Sequence, residues 1–144
     1  FVTMTYGIVD TGRRRLRYAR AGHNPLIRFE ARTRTTHVLA PPGLGLGLDS
    51  GEQFERVLEE AEVGIEKGDI FLFFTDGLSE AMNAGAELFG ETRLRRILEE
   101  SQGQESEQVK RRILEDVRSF VGGETLQDDL TLVLVEITPE RSQA

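Results

Sequence analysis

Two stretches of the chain are apolar at nearly every position, whereas most other segments alternate or mix apolar and polar residues. Ile70–Phe74 reads Ile-Phe-Leu-Phe-Phe, and residues 130–137 read Leu-Thr-Leu-Val-Leu-Val-Glu-Ile. A strand with one solvated face alternates apolar and polar side chains, but a continuous apolar run needs cover on both faces. The pattern therefore predicts a central strand at Ile70–Phe74 and a second strand with two apolar faces at 130–137.

Period-two patterns predict the other strands. These strands are residues 2–8, a hairpin partner that carries Leu16 and Tyr18, then Leu26–Glu30, Thr35–Leu39 and 54–63. In the first of them, Met4, Tyr6 and Ile8 form the apolar face that is predicted to be buried. Paired strands of this kind, together with the two apolar strands, indicate a largely antiparallel sheet structure.

Apolar residues at helical spacing predict two helices between the apolar strands. They cover 92–100 and Ser106–Val121, with Ser106 as the expected N-cap and Gly122-Gly123 as the stop. Residues 41–48 contain two prolines and three glycines and are predicted to form a loop.

Composition narrows the chemistry open to this chain of 144 residues. With 18 Lys and Arg against 25 Asp and Glu, the net charge is −7, and an acidic surface argues against nucleic-acid binding. The absence of cysteine excludes disulfides, thiolate zinc sites and iron–sulfur clusters. Only two histidines are present, so a metal would be held mainly by carboxylates, which select Mg²⁺ or Mn²⁺.

The chain has the length of one domain and contains no apolar stretch long enough for a membrane segment. A cytoplasmic protein is therefore expected. Phe1 enters directly into a strand pattern without an initiator methionine or a leader, and this start suggests a piece of a longer protein.

Three aspartates flank the two apolar strands. Asp76 follows Ile70–Phe74, and Asp128 and Asp129 precede 130–137. If the two strands are antiparallel neighbours, Asp76 and Asp128 converge at one edge of the sheet. Converging carboxylates repel each other and usually indicate a bound cation or a shared proton. The alternative is structural, because Asp-Gly is a common turn and an Asp pair can belong to an ordinary loop.

A second catalytic interpretation uses Asp76 alone. A hydrophobic strand that ends in an acidic residue also presents the nucleophile of aspartyl-phosphate hydrolases of the haloacid dehalogenase type. Those enzymes carry a second aspartate two residues later as acid and base, and here that position is Leu78. The substitution disfavours this interpretation.

Several short motifs together resemble a known family. In chain order they are Phe1-Val2-Thr3-Met4, Ala21-Gly22-His23-Asn24-Pro25, Leu46-Gly47-Leu48, Lys67-Gly68-Asp69, Phe74-Thr75-Asp76-Gly77-Leu78-Ser79-Glu80-Ala81, Phe89-Gly90 and Asp128-Asp129-Leu130-Thr131. Their order and spacing resemble bacterial PPM-type serine/threonine phosphatases of the SpoIIE/RsbU subgroup. The resemblance covers residues 1–137, with 138–144 as a polar tail.

The resemblance implies an α/β (α+β) sandwich of two antiparallel β-sheets, packed face to face and flanked by helices, here without its N-terminal strands. It implies hydrolysis of phosphoserine or phosphothreonine by a water that bridges two Mn²⁺ or Mg²⁺ ions. Asp76 and Asp128 match the family's metal ligands. Asp129 and Gly77 match positions with an indirect or accessory role. His23 matches a position near an accessory metal, and a structural hydrogen bond is the alternative role.

The resemblance also implies what these 144 residues lack. The family's complete domain has an upstream Gly-Asp-x-x-Gly-x-Gly motif that supplies a key ligand of the first metal, and no counterpart occurs here. The chain alone is therefore expected to be inactive and, with sheet surfaces uncovered, to form dimers or larger species. The expected partner is a phosphorylated regulatory protein, such as a STAS-domain anti-anti-sigma factor. The alternative is a catalytically dead, phosphoprotein-binding or scaffolding module.

Overall fold

The computed structural model of the protein describes residues 1–123 and 128–138. Its strands are β1 (Met4–Asp10), β2 (Arg15–Ala21), β3 (Leu26–Glu30), β4 (Thr35–Leu39), β5 (Glu60–Gly64), β6 (Ile70–Phe74) and β7 (Leu132–Glu136). Its helices are α1 (Glu52–Val57), α2 (Asp76–Ser79), α3 (Gly90–Glu100) and α4 (Ser106–Val121). In the described ranges, no helix combines the length and the apolarity needed to cross a bilayer.

The strands form two antiparallel sheets, which confirms the predicted sandwich. One sheet has the order β1-β2-β5 and the other β4-β3-β6-β7. Between the sheets lies one core, built around Leu16, Tyr18 and Phe71. The second core lies between the four-stranded sheet and the helices α3 and α4, which bury Leu94, Ile97 and Ile113 among others.

Strand β6 is buried on both faces, as its uninterrupted apolar sequence predicts. Phe71 faces the other sheet, whereas Leu72 and Phe74 pack towards the helices. Asp69 precedes the strand and is fully buried; its carboxylate accepts hydrogen bonds from Arg28 (2.7 Å) and from the backbone N–H of Ala31 (3.0 Å). This buried pair anchors the start of β6.

Strand β7 differs from the expectation of two buried faces. It spans Leu132–Glu136 and pairs with β6. Among the described residues it is an edge strand, with no neighbour on its other side. Val133 is 52% exposed. Between β7 and β1 an apolar cleft of about 340 Å³ opens into the space between the sheets. The apolar residues of β7 thus lie along an open side of the sandwich.

The face of β1 that points to the other sheet is the opposite of the one predicted, and it lines the open cleft rather than a closed core. The register pairs Gly7 with Tyr18 and Val9 with Leu16, so these positions of β1 face the other sheet. Met4 and Tyr6 point to the outer side and are 46% and 52% exposed. Alternation predicted the strand, but the register with β2 decided which side faces inward.

The predicted strand at 54–63 is wrong in its first half, because residues Glu52–Val57 form α1 before β5 begins. The carboxylate of Asp49 accepts the N–H groups of Gly51 (2.8 Å) and Gln53 (2.9 Å) and so satisfies donors at the helix start. The second half is confirmed, with Ala61 and Val63 on the inner face of β5.

The two long helices match their predictions except for the start of α3 and the cap of α4. Helix α3 begins at Gly90 rather than 92, and α4 has the predicted bounds. Its N-cap is Glu105 and not Ser106, because Glu105 and Gln108 form a reciprocal capping box. Gly122 ends α4 in the left-handed conformation, as the sequence predicted. The predicted polar tail, except for Thr138, lies outside the described residues.

Candidate functional site

The candidate site lies where β6 ends and β7 begins. The two strands are antiparallel neighbours, with Phe74 opposite Leu132 and Ile70 opposite Glu136. Asp76 therefore follows the end of one strand, and Asp128 and Asp129 precede the adjacent start of the other. The condition on which the sequence argument depended is met, and the three aspartates belong to one edge of the sheet.

Thr75 connects the two strand ends, a role that sequence reasoning missed. Its backbone N–H donates to the Thr131 carbonyl (3.1 Å), and its hydroxyl accepts the Thr131 N–H (3.1 Å). The same hydroxyl lies 3.3 Å from the carbonyl oxygen of Asp129, to which it can donate. These contacts hold the backbone next to Asp76 against the backbone next to Asp128. The available signal was a threonine directly before the acidic turn.

Gly77 allows the turn after β6 to lie close to the backbone of Asp128 and Asp129. A Cβ built on this residue would lie 2.5 Å from the Asp129 carbonyl oxygen and 3.4 Å from the Asp128 carbonyl carbon. Any side chain at position 77 would therefore push the two loops apart. Gly77 is buried and opens the short helix α2 together with Asp76. The predicted accessory residue thus has a steric reason to be glycine.

The side chains of Asp76 and Asp128 are held in the same way. Asp76 Oδ1 accepts the N–H of Gly77 (3.0 Å), and Asp128 Oδ1 accepts the N–H of Asp129 (2.7 Å). Both residues are exposed to solvent. Among the described residues, neither Oδ2 atom takes part in a hydrogen bond or a salt bridge. One oxygen of each carboxylate is thus oriented by the backbone, and the other has no partner within the described ranges and could bind a hard cation.

The described residues supply only part of a metal site. In residues 1–123 and 128–138, no group of three or more His, Cys, Asp or Glu side chains is placed to hold an ion. The donor set is chemically right for Mg²⁺ or Mn²⁺, because it consists of carboxylates, but a stable site needs additional oxygen ligands.

His23 lies in the turn between β2 and β3. Because β3 runs antiparallel to β6, with Ile27 opposite Leu72, this turn is at the same end of the sheet as Asp76. The ring Nδ1 is 3.0 Å from the hydroxyl of Thr3, and the backbone carbonyl of His23 accepts a hydrogen bond from Arg20 (2.6 Å). In the described part of the chain His23 makes no hydrogen bond to the three aspartates. Its accessory role stays a prediction.

Residues 41–48 form a loop, as predicted, and it packs against the turn that carries His23. A Cβ on Gly43 would lie 1.5 Å from the Arg20 carbonyl oxygen, and one on Gly22 would lie 2.7 Å from the Gly45 nitrogen. Leu46 and Val2 exchange two backbone hydrogen bonds, in which the N–H of each residue donates to the carbonyl oxygen of the other (2.8 Å in both cases). The glycines of this loop thus serve close backbone packing, which sequence reasoning did not identify.

Two sequence comparisons relate the chain to known proteins. A family model described as Stage II sporulation protein E (SpoIIE) matches residues 1–138. The chain is 25% identical over 135 residues to phosphoserine phosphatase RsbU of Bacillus subtilis (strain 168), a match that covers 94% of the chain and 38% of RsbU.

Two solved structures share the fold. The phosphatase domain of the cell fate determinant SpoIIE from Bacillus subtilis (Mn presoaked) superposes with a TM-score of 0.74 at 15% identity, covering 99% of this chain and 59% of that one. The SiaA-PP2C domain of Pseudomonas aeruginosa gives a TM-score of 0.78 at 21% identity, covering 93% and 51% respectively. The chain thus spans less than two thirds of the length of these relatives.

Proposed function

Because the chain belongs to the Stage II sporulation protein E (SpoIIE) family, we propose that it is the C-terminal portion, residues 1–137, of a metal-dependent phosphatase domain. Its activity is hydrolysis of phosphoserine or phosphothreonine on a regulatory protein. The observation that carries the proposal is the junction of β6 and β7, where Thr75 and Gly77 hold Asp76 and Asp128 at one edge.

In this proposal Asp76 and Asp128 are ligands of Mn²⁺ or Mg²⁺, two ions per complete domain. The Oδ1 atoms are engaged by backbone N–H groups, and the Oδ2 atoms, which have no partner among residues 1–123 and 128–138, support that role. Bound divalent ions would supply an activated water and charge stabilisation for the phosphoryl oxygens. Asp129 and Gly77 position the Asp128 backbone, and His23 lines the same end of the sandwich. The remaining ligands would come from other residues of the parent protein.

The partner in this proposal is a cytoplasmic phosphoprotein, such as a phosphorylated STAS-domain anti-anti-sigma factor. The similarity to RsbU, a phosphoserine phosphatase, supports a phosphoserine substrate. The chain on its own would self-associate, because it exposes apolar surface. This surface includes the side chains of Met4 and Tyr6 and the lining of the cleft between β1 and β7.

A binding module without catalysis is the second candidate. It is favoured by one observation, the lack of any three-ligand group in the described residues. Such a module would still hold a phosphorylated partner at this edge but would not turn it over.

The deciding experiment compares phosphatase activity in the parent protein with and without the proposed ligand. The wild-type parent protein should hydrolyse p-nitrophenyl phosphate in millimolar Mn²⁺, and Asp76→Asn should reduce the rate by at least about a hundredfold, because a lost ligand loosens the ion that activates the water. Asp116→Asn, a carboxylate change on α4, is the matched control and should leave the rate unchanged. An inactive wild-type protein that still binds a phosphoprotein would instead support the binding module.

A further inference from the structure

Residues 82–88, called the Asn83 loop below, directly follow the helical turn that begins at Asp76. The backbone connects the two closely, because the Glu80 N–H donates to the Asp76 carbonyl (2.7 Å). The residues on either side of the loop, called its neck below, are paired: the Phe89 N–H donates to the Ala81 carbonyl (2.8 Å). At the ends of the loop, Met82 and Leu88 form an isolated antiparallel β-bridge. Ala81 and Phe89 are both buried, so the neck is anchored in the core beside the candidate site.

A single side chain organises the loop. Asn83 Oδ1 accepts the N–H groups of Gly85 (2.9 Å) and Glu87 (3.0 Å), and Asn83 Nδ2 donates to the Glu87 carboxylate (3.1 Å). Two backbone bonds reinforce this arrangement, from the Asn83 N–H to the Glu87 carbonyl and from the Ala86 N–H to the Asn83 carbonyl, each 3.0 Å. The loop is therefore preorganised by its own hydrogen bonds.

The order of the loop is not explained by burial. Residues 84–88 are all exposed, and the Leu88 side chain is 48% exposed. Ala86 adopts a left-handed conformation, with φ of 59°, which an alanine takes up only at a cost in free energy. Ordering a surface segment costs conformational entropy that no packing of these residues repays. Rigid exposed loops beside an active site are typical of recognition, because a preorganised surface loses less entropy on binding.

Residues of helices α3 and α4 hold the C-terminal end of the loop in place. Arg93 in α3 donates to the carbonyl oxygens of Leu88 (2.9 Å) and Phe89 (2.8 Å). Its guanidinium lies 4.5 Å from the ring centroid of Phe120 in α4, and Phe120 packs edge-on against Phe89. The position of Leu88 relative to the site is thus set by two helices and does not depend on the loop alone.

We propose that the Asn83 loop is a docking surface for the protein substrate, which it contacts next to the phosphorylated residue. The proposal rests on the function proposed above. The loop offers an exposed apolar side chain, Leu88. Glu87 in the loop and Glu80 just before it are exposed carboxylates, and Glu87 also lies 3.9 Å from Arg93. This acidic charge is complementary to a basic surface. The matching partner is a folded phosphoprotein with an apolar and basic patch beside its phosphoserine. A small aryl phosphate has no such patch and does not reach the loop.

The test compares the two kinds of substrate in the parent protein with its upstream residues. The probes are a serine-phosphorylated STAS-domain protein and p-nitrophenyl phosphate, both in Mn²⁺. Leu88→Ala should lower kcat/KM for the phosphoprotein about tenfold, the loss typical of an interface anchor, and leave that for the aryl phosphate unchanged. Val57→Ala removes a comparably exposed aliphatic side chain from α1 and is the matched control, with no effect on either substrate.

Two further variants test separately how much the order of the Asn83 loop and the charge of Glu87 contribute to docking. Asn83→Ala should reproduce the loss for the phosphoprotein through a higher KM, because the loop must then be ordered on binding. Glu87→Gln keeps an oxygen acceptor for Asn83 and removes the charge, so it should weaken the salt dependence of kcat/KM for the phosphoprotein.

The outcomes distinguish the two proposals. If the wild-type protein hydrolyses neither substrate, the proposed function fails, and the docking role fails with it. If the wild type is active but Leu88→Ala changes both substrates equally or neither, the docking role is overturned and the phosphatase function stands. The docking role is also overturned if the active wild type hydrolyses the aryl phosphate but not the phosphorylated STAS-domain protein.

Discussion

Gly77 lies so close to Asp129 that a Cβ at position 77 would be 2.5 Å from the Asp129 carbonyl oxygen. The contact joins the first turn of α2 to the segment before β7, and so sets how near Asp76 and Asp128 come to each other. Substitutions at positions 77 and 75 test this relationship directly.

Gly77→Ala should separate the two loops at the candidate site. The new methyl group meets backbone rather than a flexible side chain, so we expect a loss of about 1–3 kcal/mol in the free energy of unfolding. Mn²⁺ affinity of the parent protein should fall as well. Urea denaturation and metal titration measure the two effects. Gly64→Ala, where the added Cβ meets nothing within 4 Å, is the control, and an equal loss in both variants would refute the steric role.

Thr75→Val should weaken the junction of β6 and β7. The substitution keeps the shape of the side chain but leaves the Thr131 N–H without its 3.1 Å acceptor. Because this hydrogen bond is exposed to solvent, we expect a cost of about 0.5–1.5 kcal/mol. Chemical denaturation should show this loss, and Thr75→Ser should restore most of the stability. Thr92→Val changes an exposed threonine of α3 and serves for comparison. No difference between positions 75 and 92 would mean that the Thr75 hydroxyl does not stabilise the junction.

The 144-residue chain by itself should show little phosphatase turnover. Two carboxylates hold Mn²⁺ or Mg²⁺ weakly, and a loosely held ion cannot orient the attacking water. The assay is hydrolysis of p-nitrophenyl phosphate with millimolar Mn²⁺, compared with a chain extended upstream, together with light scattering to detect dimers or larger species. Comparable turnover from both chains, abolished by Asp76→Ala in each, would show that the residues present suffice.

Lowering the pH should destabilise the start of α1, because the Asp49 carboxylate that accepts its N–H groups becomes protonated. Hydrogen bonds from the N–H groups of Gly51 and Gln53 hold the pKa of the Asp49 carboxyl below its ordinary value of 3.8. Since the folded-state pKa is the lower one, this contribution to stability is present above about pH 4 and is lost as the pH falls through the folded-state pKa. Asp49→Asn retains an acceptor but cannot titrate, so its stability should depend less on pH as the pH falls below about 4. Urea denaturation at several pH values measures the difference, and identical profiles for both proteins would contradict the prediction.

Local pattern by itself determined several elements of this protein. The apolar run of β6 predicted a strand covered on both faces, and the apolar spacing in α4 predicted its bounds and its stop at Gly122. These features depend on residues a few positions apart, so periodicity in the sequence carries them directly. The positions of Asp76 and Asp128 at strand ends were also readable, but their convergence depended on a strand pairing that no local pattern specifies.

The tertiary structure decided what depends on residues far apart in the chain. The register between β1 and β2 turned Met4 and Tyr6 outwards, although the alternation alone predicted the reverse. The approach of Gly77 to Asp129 and the bonds of Thr75 to Thr131 join segments that are distant in sequence, so a glycine or a threonine gives no sign of its partner there. Alternation fixes the period of a strand but not its inward side, because a shift of one residue exchanges the two faces.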